Sequence, residues 1–229
     1  MIKSLFKAID LVLGREAYTR FFWKTSNWDN WSSSNLDGFL QSSSVSRKFY
    51  DKIIFELNCD KYSSLVDFGC GNGFLLNEIS KIKNDVDLHG IDISERRLRR
   101  VRSLYPHIGF HSVALEKVTH EFNLNSPLIV SSNALGSLGI VELRSLFAFC
   151  IRCSFPILFV ESSLDPNHRE FSLKRQHGIG HHYNYSKIFE SMGLDNDATL
   201  CFGDSIRDGE CFELFCALGD FKSTASNIC

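Results

Sequence analysis

Three glycines at alternate positions, Gly69, Gly71 and Gly73, follow the apolar run Leu65, Val66 and Phe68. They precede Phe74, Leu75, Leu76, Ile79 and Ile82, which recur at helical spacing. This pattern predicts a strand, a tight turn and a helix. Glycines admit positive φ and let the backbone approach a ligand, and the N–H groups of a helix start favour an anionic or polar group. A nucleotide-like cofactor is the expected occupant. A second set of reactive side chains lies downstream, where His168, His177, His181 and His182 stand with Tyr183 and Tyr185 in a polar segment over 164–185. Imidazole titrates near neutrality and can take a proton from an alcohol. The spacing of these histidines matches no familiar metal-ligand pattern, so no metal is expected.

Gly69-x-Gly71-x-Gly73 is one residue tighter than the Gly-x-Gly-x-x-Gly of dinucleotide-binding units, which disfavours a nicotinamide-dependent dehydrogenase. Asp67-x-Gly69-x-Gly71-x-Gly73, followed by Gly90-Ile91-Asp92-Ile93-Ser94, resembles the first two motifs of class I S-adenosylmethionine-dependent methyltransferases. The resemblance covers roughly 46–221 and implies a seven-stranded Rossmann-like α/β sheet with a closing antiparallel hairpin. It implies S-adenosyl-L-methionine as cofactor, held by Asp67, Gly69, Gly71, Gly73, Asp92 and Ile93. Asp92, at the end of the second strand, would accept both ribose hydroxyls, and Ser132 and Asn133 would border the reaction centre. One departure stands out. Val113 and Ala114 fall where the family often has an acid for the adenine amine, which leaves either Glu116 or backbone groups and apolar walls for that part. The amine-methylating Asn/Asp-Pro-Pro-Tyr/Phe motif is absent, so a hydroxyl on a sugar or secondary metabolite is the expected acceptor.

The elements that must hold these residues can be read in order. At 229 residues the chain fits one α/β domain, 46–229, behind an N-terminal helical and aromatic cover, 1–45. In the cover, Ile2, Leu5, Phe6, Ile9 and Leu13 have helical spacing, and Tyr18, Phe21, Phe22, Trp23, Trp28 and Trp31 are interleaved with serines. The apolar run is too short to span a bilayer and lacks a cleavage pattern, so a cytoplasmic protein is expected. Further strands are predicted at 87–92, 109–114, 127–135 and 155–163, with an arginine-rich helix after Asp92 and another helix over Val141–Ile151. A helix ending at Gly193 and a hairpin of Ala198–Ile206 with Cys211–Leu218 close the chain.

A net charge of −2 and a pI near 6.4 give no field that would recruit nucleic acid. A small-molecule acceptor is the expected partner, and a homodimer is compatible with the composition. Eight scattered cysteines read as reduced thiols, with Cys150-x-x-Cys153 at the end of a packed helix. Methyl transfer from a sulfonium requires acceptor, carbon and sulfur in line in a dry pocket, and an alcohol needs a base. His181 or His182 is the expected base, Tyr183 and Tyr185 could orient the acceptor, and Glu161 could orient a histidine. The competing class is a non-catalytic methyltransferase-like subunit.

Overall fold

A computed structural model describes residues 44–124, 126–174, 180–207 and 209–219. The N-terminal cover therefore lies outside the described residues, apart from Ser44 and Val45, which already belong to the first helix, α1 (Ser44–Asn58). Val45, Phe49, Ile53 and Leu57 recur every four residues along α1 and are each at most 1% exposed, so a single stripe faces the sheet. Lys52 and Glu56, one turn apart beside that stripe, pair at 2.6 Å with little exposure.

The sheet is assembled from β1 (Ser64–Phe68), β2 (Asp87–Ile91), β3 (Gly109–His111), β4 (Leu128–Ser132) and β5 (Ile157–Leu164), all parallel. Strand order runs β3-β2-β1-β4-β5, so the chain reverses direction across the sheet between β1 and β4. In open α/β sheets that reversal opens a crevice at the carboxyl ends of the strands. Helices α2 (Phe74–Ile82), α3 (Glu95–Leu104), α4 (Leu115–Glu121) and α5 (Ile140–Arg152) make the connections, with a 3-10 turn at Leu135–Ser137. The last pair, β8 (Ala198–Arg207) and β9 (Cys211–Leu218), forms the expected hairpin, and β9 runs antiparallel along the whole of β5.

Two apolar layers cover the sheet. Leu65, Leu128, Val130, Leu158 and Val160 pack with α1, α2 and α3 on one face. Val66, Ile129, Ile157 and Phe159 pack with α4, α5 and α6 (Tyr185–Met192) on the other. Strands buried on both sides are expected to read as continuous apolar runs, as Leu128–Val130 and Ile157–Val160 do.

The polar segment 164–185 differs from the expected long loop. It contains two short strands, β6 (Ser172–Lys174) and β7 (His181–Tyr183), paired antiparallel, so the described sheet has nine strands rather than seven. The segment has no run of alternating apolar residues; its pairing comes from β7 docking on β5 at Ser163 and Tyr183. Cysteines 59, 70, 150, 153 and 216 are free thiols, and burial pushes Cys150 up to about 12. Cys201 is held in a disulfide, which corrects the expectation of reduced thiols throughout. No helix among the described residues is long and apolar enough to cross a membrane.

Candidate active site

The glycine turn leaves β1 with all three glycines at positive φ, at 81°, 55° and 70°. Gly69 is constrained twice, because a β-carbon there would also lie 2.2 Å from Ala134 Cβ. The turn is thereby pressed against the segment that follows β4. Gly73 caps α2 and no side chain bonds the helix start.

Asp92 is 7% exposed at the carboxyl end of β2. Its Oδ2 accepts the Gly71 N–H at 3.0 Å and its Oδ1 accepts the Ser94 N–H at 2.8 Å. These two bonds fix the plane of the carboxylate at the mouth of the crevice. Arg97 lies one helical turn into α3, with Nη1 3.6 Å from Asp92 Oδ2. The arginines of α3 do not all face solvent. Arg96, Arg99 and Arg100 are exposed, but Arg97 turns back over Gly71, and Arg102 donates twice to the Phe110 carbonyl. The available signal was position, since a long side chain in the first turn after a strand-end acid can reach it.

A cavity of about 350 Å³ opens beside Asp92, within the usual size range of small-ligand sites. It is walled by Phe68, Gly69, Ile91 and Ile93 on one side and by Ala134, Ser137 and Leu138 on another. Ser112, Val113 and Ala114 form a third wall, whereas Glu116 is exposed on α4 and does not line it. Of the two readings left open for the base-binding part, the apolar and backbone wall is the one at the cavity. Glu142 also reaches the lining while its carboxylate accepts the Gly139 N–H at 2.9 Å.

Behind this wall, His89 Nδ1 and His111 Nε2 are 3.0 Å apart, and Asp87 pairs with the far nitrogen of His89 at 2.9 Å. Burial, then the charges of His89 and Arg102, push His111 below its ordinary 6.5, against a weaker opposing pull from Glu121 and Asp87. The native state thus holds fewer protons at this site than the unfolded chain, so its contribution to stability is lost as pH falls below the unfolded value. His111→Gln is expected to flatten the fall in Tm between pH 7 and pH 5, and an unchanged slope would show that the pair does not govern acid sensitivity.

Asp67 is 3% exposed on β1, and burial, reinforced by the nearby Asp92 carboxylate, raises it from 3.8 to about 7. Ser132 is half-buried at the end of β4, and Asn133 is exposed with φ at 54°, its N–H donating to the Val160 carbonyl at 2.9 Å. Neither lines the 350 Å³ cavity; both stand at the carboxyl end of the neighbouring strand.

The structure splits the remaining candidates between two faces. Glu161, 1% exposed, accepts the Gly136 N–H at 2.9 Å and so fastens the 3-10 turn that carries Ser137. Tyr183, also 1% exposed, donates its hydroxyl to the Leu138 carbonyl at 2.7 Å, and the His181 ring stacks on it at 5.3 Å. His182 points the other way, with Nδ1 2.6 Å from Ser162 Oγ. Tyr185 is fully buried in the core. Gly180 seats the strand: a β-carbon there would fall 2.2 Å from the Gly136 carbonyl oxygen.

No family model matches the sequence, and neither does any curated protein. Solved structures do share its fold. The N-terminal domain of EvdMO1 with SAH bound superposes with a TM-score of 0.58 at 10% identity, over 76% of this chain and 81% of that one. The plantazolicin methyltransferase BpumL, in complex with a monoazolic desmethylPZN analog and SAH, gives 0.55 at 16% identity, over 96% of this chain and all of its own. The methyltransferase domain of bacterial CtHen1-CN gives 0.50 at 14% identity, over 76% of this chain. The parallel sheet reversing at β1 and β4, the antiparallel β8–β9 closure and these superpositions together identify the fold of this chain as that of the class I S-adenosylmethionine-dependent methyltransferases.

Proposed function

We propose that this chain is an S-adenosylmethionine-dependent methyltransferase that acts on a hydroxyl of a small molecule, a sugar or a secondary metabolite. The observation that carries this reading is Asp92, a carboxylate at the end of β2 that lines the 350 Å³ cavity with each oxygen fixed by one backbone N–H. Ile93, Val113 and Leu138 supply apolar walls for a purine and Asp92 a partner for a ribose, while Gly69 brings the turn to the cavity edge. Asp67 is a carboxyl near Asp92 that a bound cation would draw into its ionised form. Bound there, S-adenosylmethionine supplies an electrophilic methyl group. The protein supplies orientation, exclusion of water and a base for the acceptor hydroxyl from the His181–His182 pair.

The formal net charge of −2 and the missing Asn/Asp-Pro-Pro-Tyr/Phe motif support an oxygen acceptor over a nucleobase. EvdMO1 and BpumL, both crystallised with SAH, support the cofactor class. Titration calorimetry with S-adenosylmethionine and S-adenosylhomocysteine tests the reading directly, and no heat with either would reject it. Asp92→Ala is expected to weaken both ligands by roughly 1.5–3 kcal/mol, the usual cost of losing hydrogen bonds to a charged group. Equal affinity in that variant would take the ribose role from Asp92.

A further inference from the structure

Side-chain parity assigns the polar groups at the carboxyl edge of the sheet to faces. Leu65, Val130 and Val160 pack on the α1 side, and successive side chains alternate, so Asp67, Ser132 and Ser162 share that face at the ends of β1, β4 and β5. The registers Asp67 to Val130 and Ser132 to Val160 make the row climb two residues at each strand.

β7 extends this row. Strand β9 occupies one edge of β5 from Ile157 to Leu164, and β4 occupies the other edge as far as Val160. The remaining pairing of β5, at Ser163 with Tyr183, therefore lies on the β4 edge, just past the last paired residue Ser132. His182 is thus suspended beyond the carboxyl end of β4, on the same face as Ser132 and Ser162, with its Nδ1 2.6 Å from Ser162 Oγ. His181 lies on the opposite face, packed on Tyr183.

We infer that Ser162 is the positioning residue of the acceptor site, and that His182 rather than His181 is its base. This rests on the methyltransferase reading above. In this proposal Ser162 Oγ, 2.6 Å away, accepts the Nδ1–H of His182, which leaves the lone pair on Nε2; which imidazole nitrogen is protonated is set by the bond the other makes. As the acceptor oxygen takes the methyl group, its proton passes to Nε2 and the C–S bond electrons remain on sulfur. The imidazolium keeps its Nδ1–H on Ser162 and returns the Nε2 proton to solvent. Without a partner at Nδ1 the reactive nitrogen would carry a proton for most of the time and could not serve.

Nitrogen-15 NMR of the full chain labelled at histidine, near pH 7.5, decides this without a known acceptor, with His182 assigned by its loss in His182→Gln. The expected result is the Nδ1–H tautomer in the wild type, reversal to mainly Nε2–H in Ser162→Ala, and retention in Ser162→Thr, which keeps the hydroxyl. Adding S-adenosylhomocysteine should move the His182 resonances and leave those of His181 in place. An Nε2–H tautomer in the wild type, or the same tautomer in Ser162→Ala, would overturn the role of Ser162. A calorimetric heat with no response at His182 would overturn its assignment as base. Absence of any heat would reject the methyltransferase reading instead, while the tautomers would still decide whether Ser162 governs His182.

Discussion

Gly69→Ala is expected to eliminate detectable nucleoside binding and to cost about 3 kcal/mol of stability, the scale of a strained backbone combined with an overpacked contact. Two effects act together. Gly69 has φ at 81°, which residues with a β-carbon adopt at a cost, and the new carbon would stand 2.2 Å from Ala134 Cβ. Both atoms are one bond from the backbone, so no rotamer relieves the clash. The chain after β4 must move, and Ser137 and Leu138 of the cavity wall move with it. Urea denaturation and calorimetry with S-adenosylhomocysteine measure the two losses. Adding Ala134→Gly should restore part of the stability, because it removes the contact and leaves the backbone strain. A single variant that binds like the wild type would show that the turn is not held against the segment after β4.

The second large effect concerns Asp67. Its carboxyl is raised from 3.8 to about 7, so the native state holds a proton that the unfolded chain releases across this interval. Stability from this group is complete below the unfolded value, declines as pH rises through the interval, and is lost above the native value, a difference of about 4 kcal/mol at most. Asp67→Asn cannot ionise. It is expected to lie nearest the wild type below pH 3.8 and to exceed it in Tm by a margin that grows as pH rises to 8. Parallel Tm curves over that range would remove Asp67 from the account. The same group couples protons to the cofactor: a cationic ligand favours the ionised carboxylate, so binding near pH 7 should release protons, seen as heats that vary with buffer ionisation enthalpy. In Asp67→Asn that buffer dependence should shrink.

Local chemistry accounts for the features that were legible in the linear chain. The alternation of three glycines between a strand and a helix, and an acid closing the next apolar run, depend on steric freedom and on strand-end geometry. Both are properties of a few consecutive residues. Helix α1 was readable from the four-residue spacing of Phe49, Ile53 and Leu57, and the β8–β9 hairpin from two apolar runs around Asp208-Gly209. Strands β6 and β7 were not, because three-residue strands without an apolar pattern form only when a neighbour offers an edge, here that of β5.

The chain order alone therefore determined the class of fold, the glycine turn and the acid that closes the neighbouring strand. It left His181 and His182 equivalent, since adjacent residues share every local property. Pairing with β5 separates them by a half-turn of the pleat, one toward the Leu138 layer and one toward Ser162. Arg97 over Gly71 and Ala134 against Gly69 are likewise tertiary outcomes, because contacts between residues far apart in sequence exist only once the layers have packed.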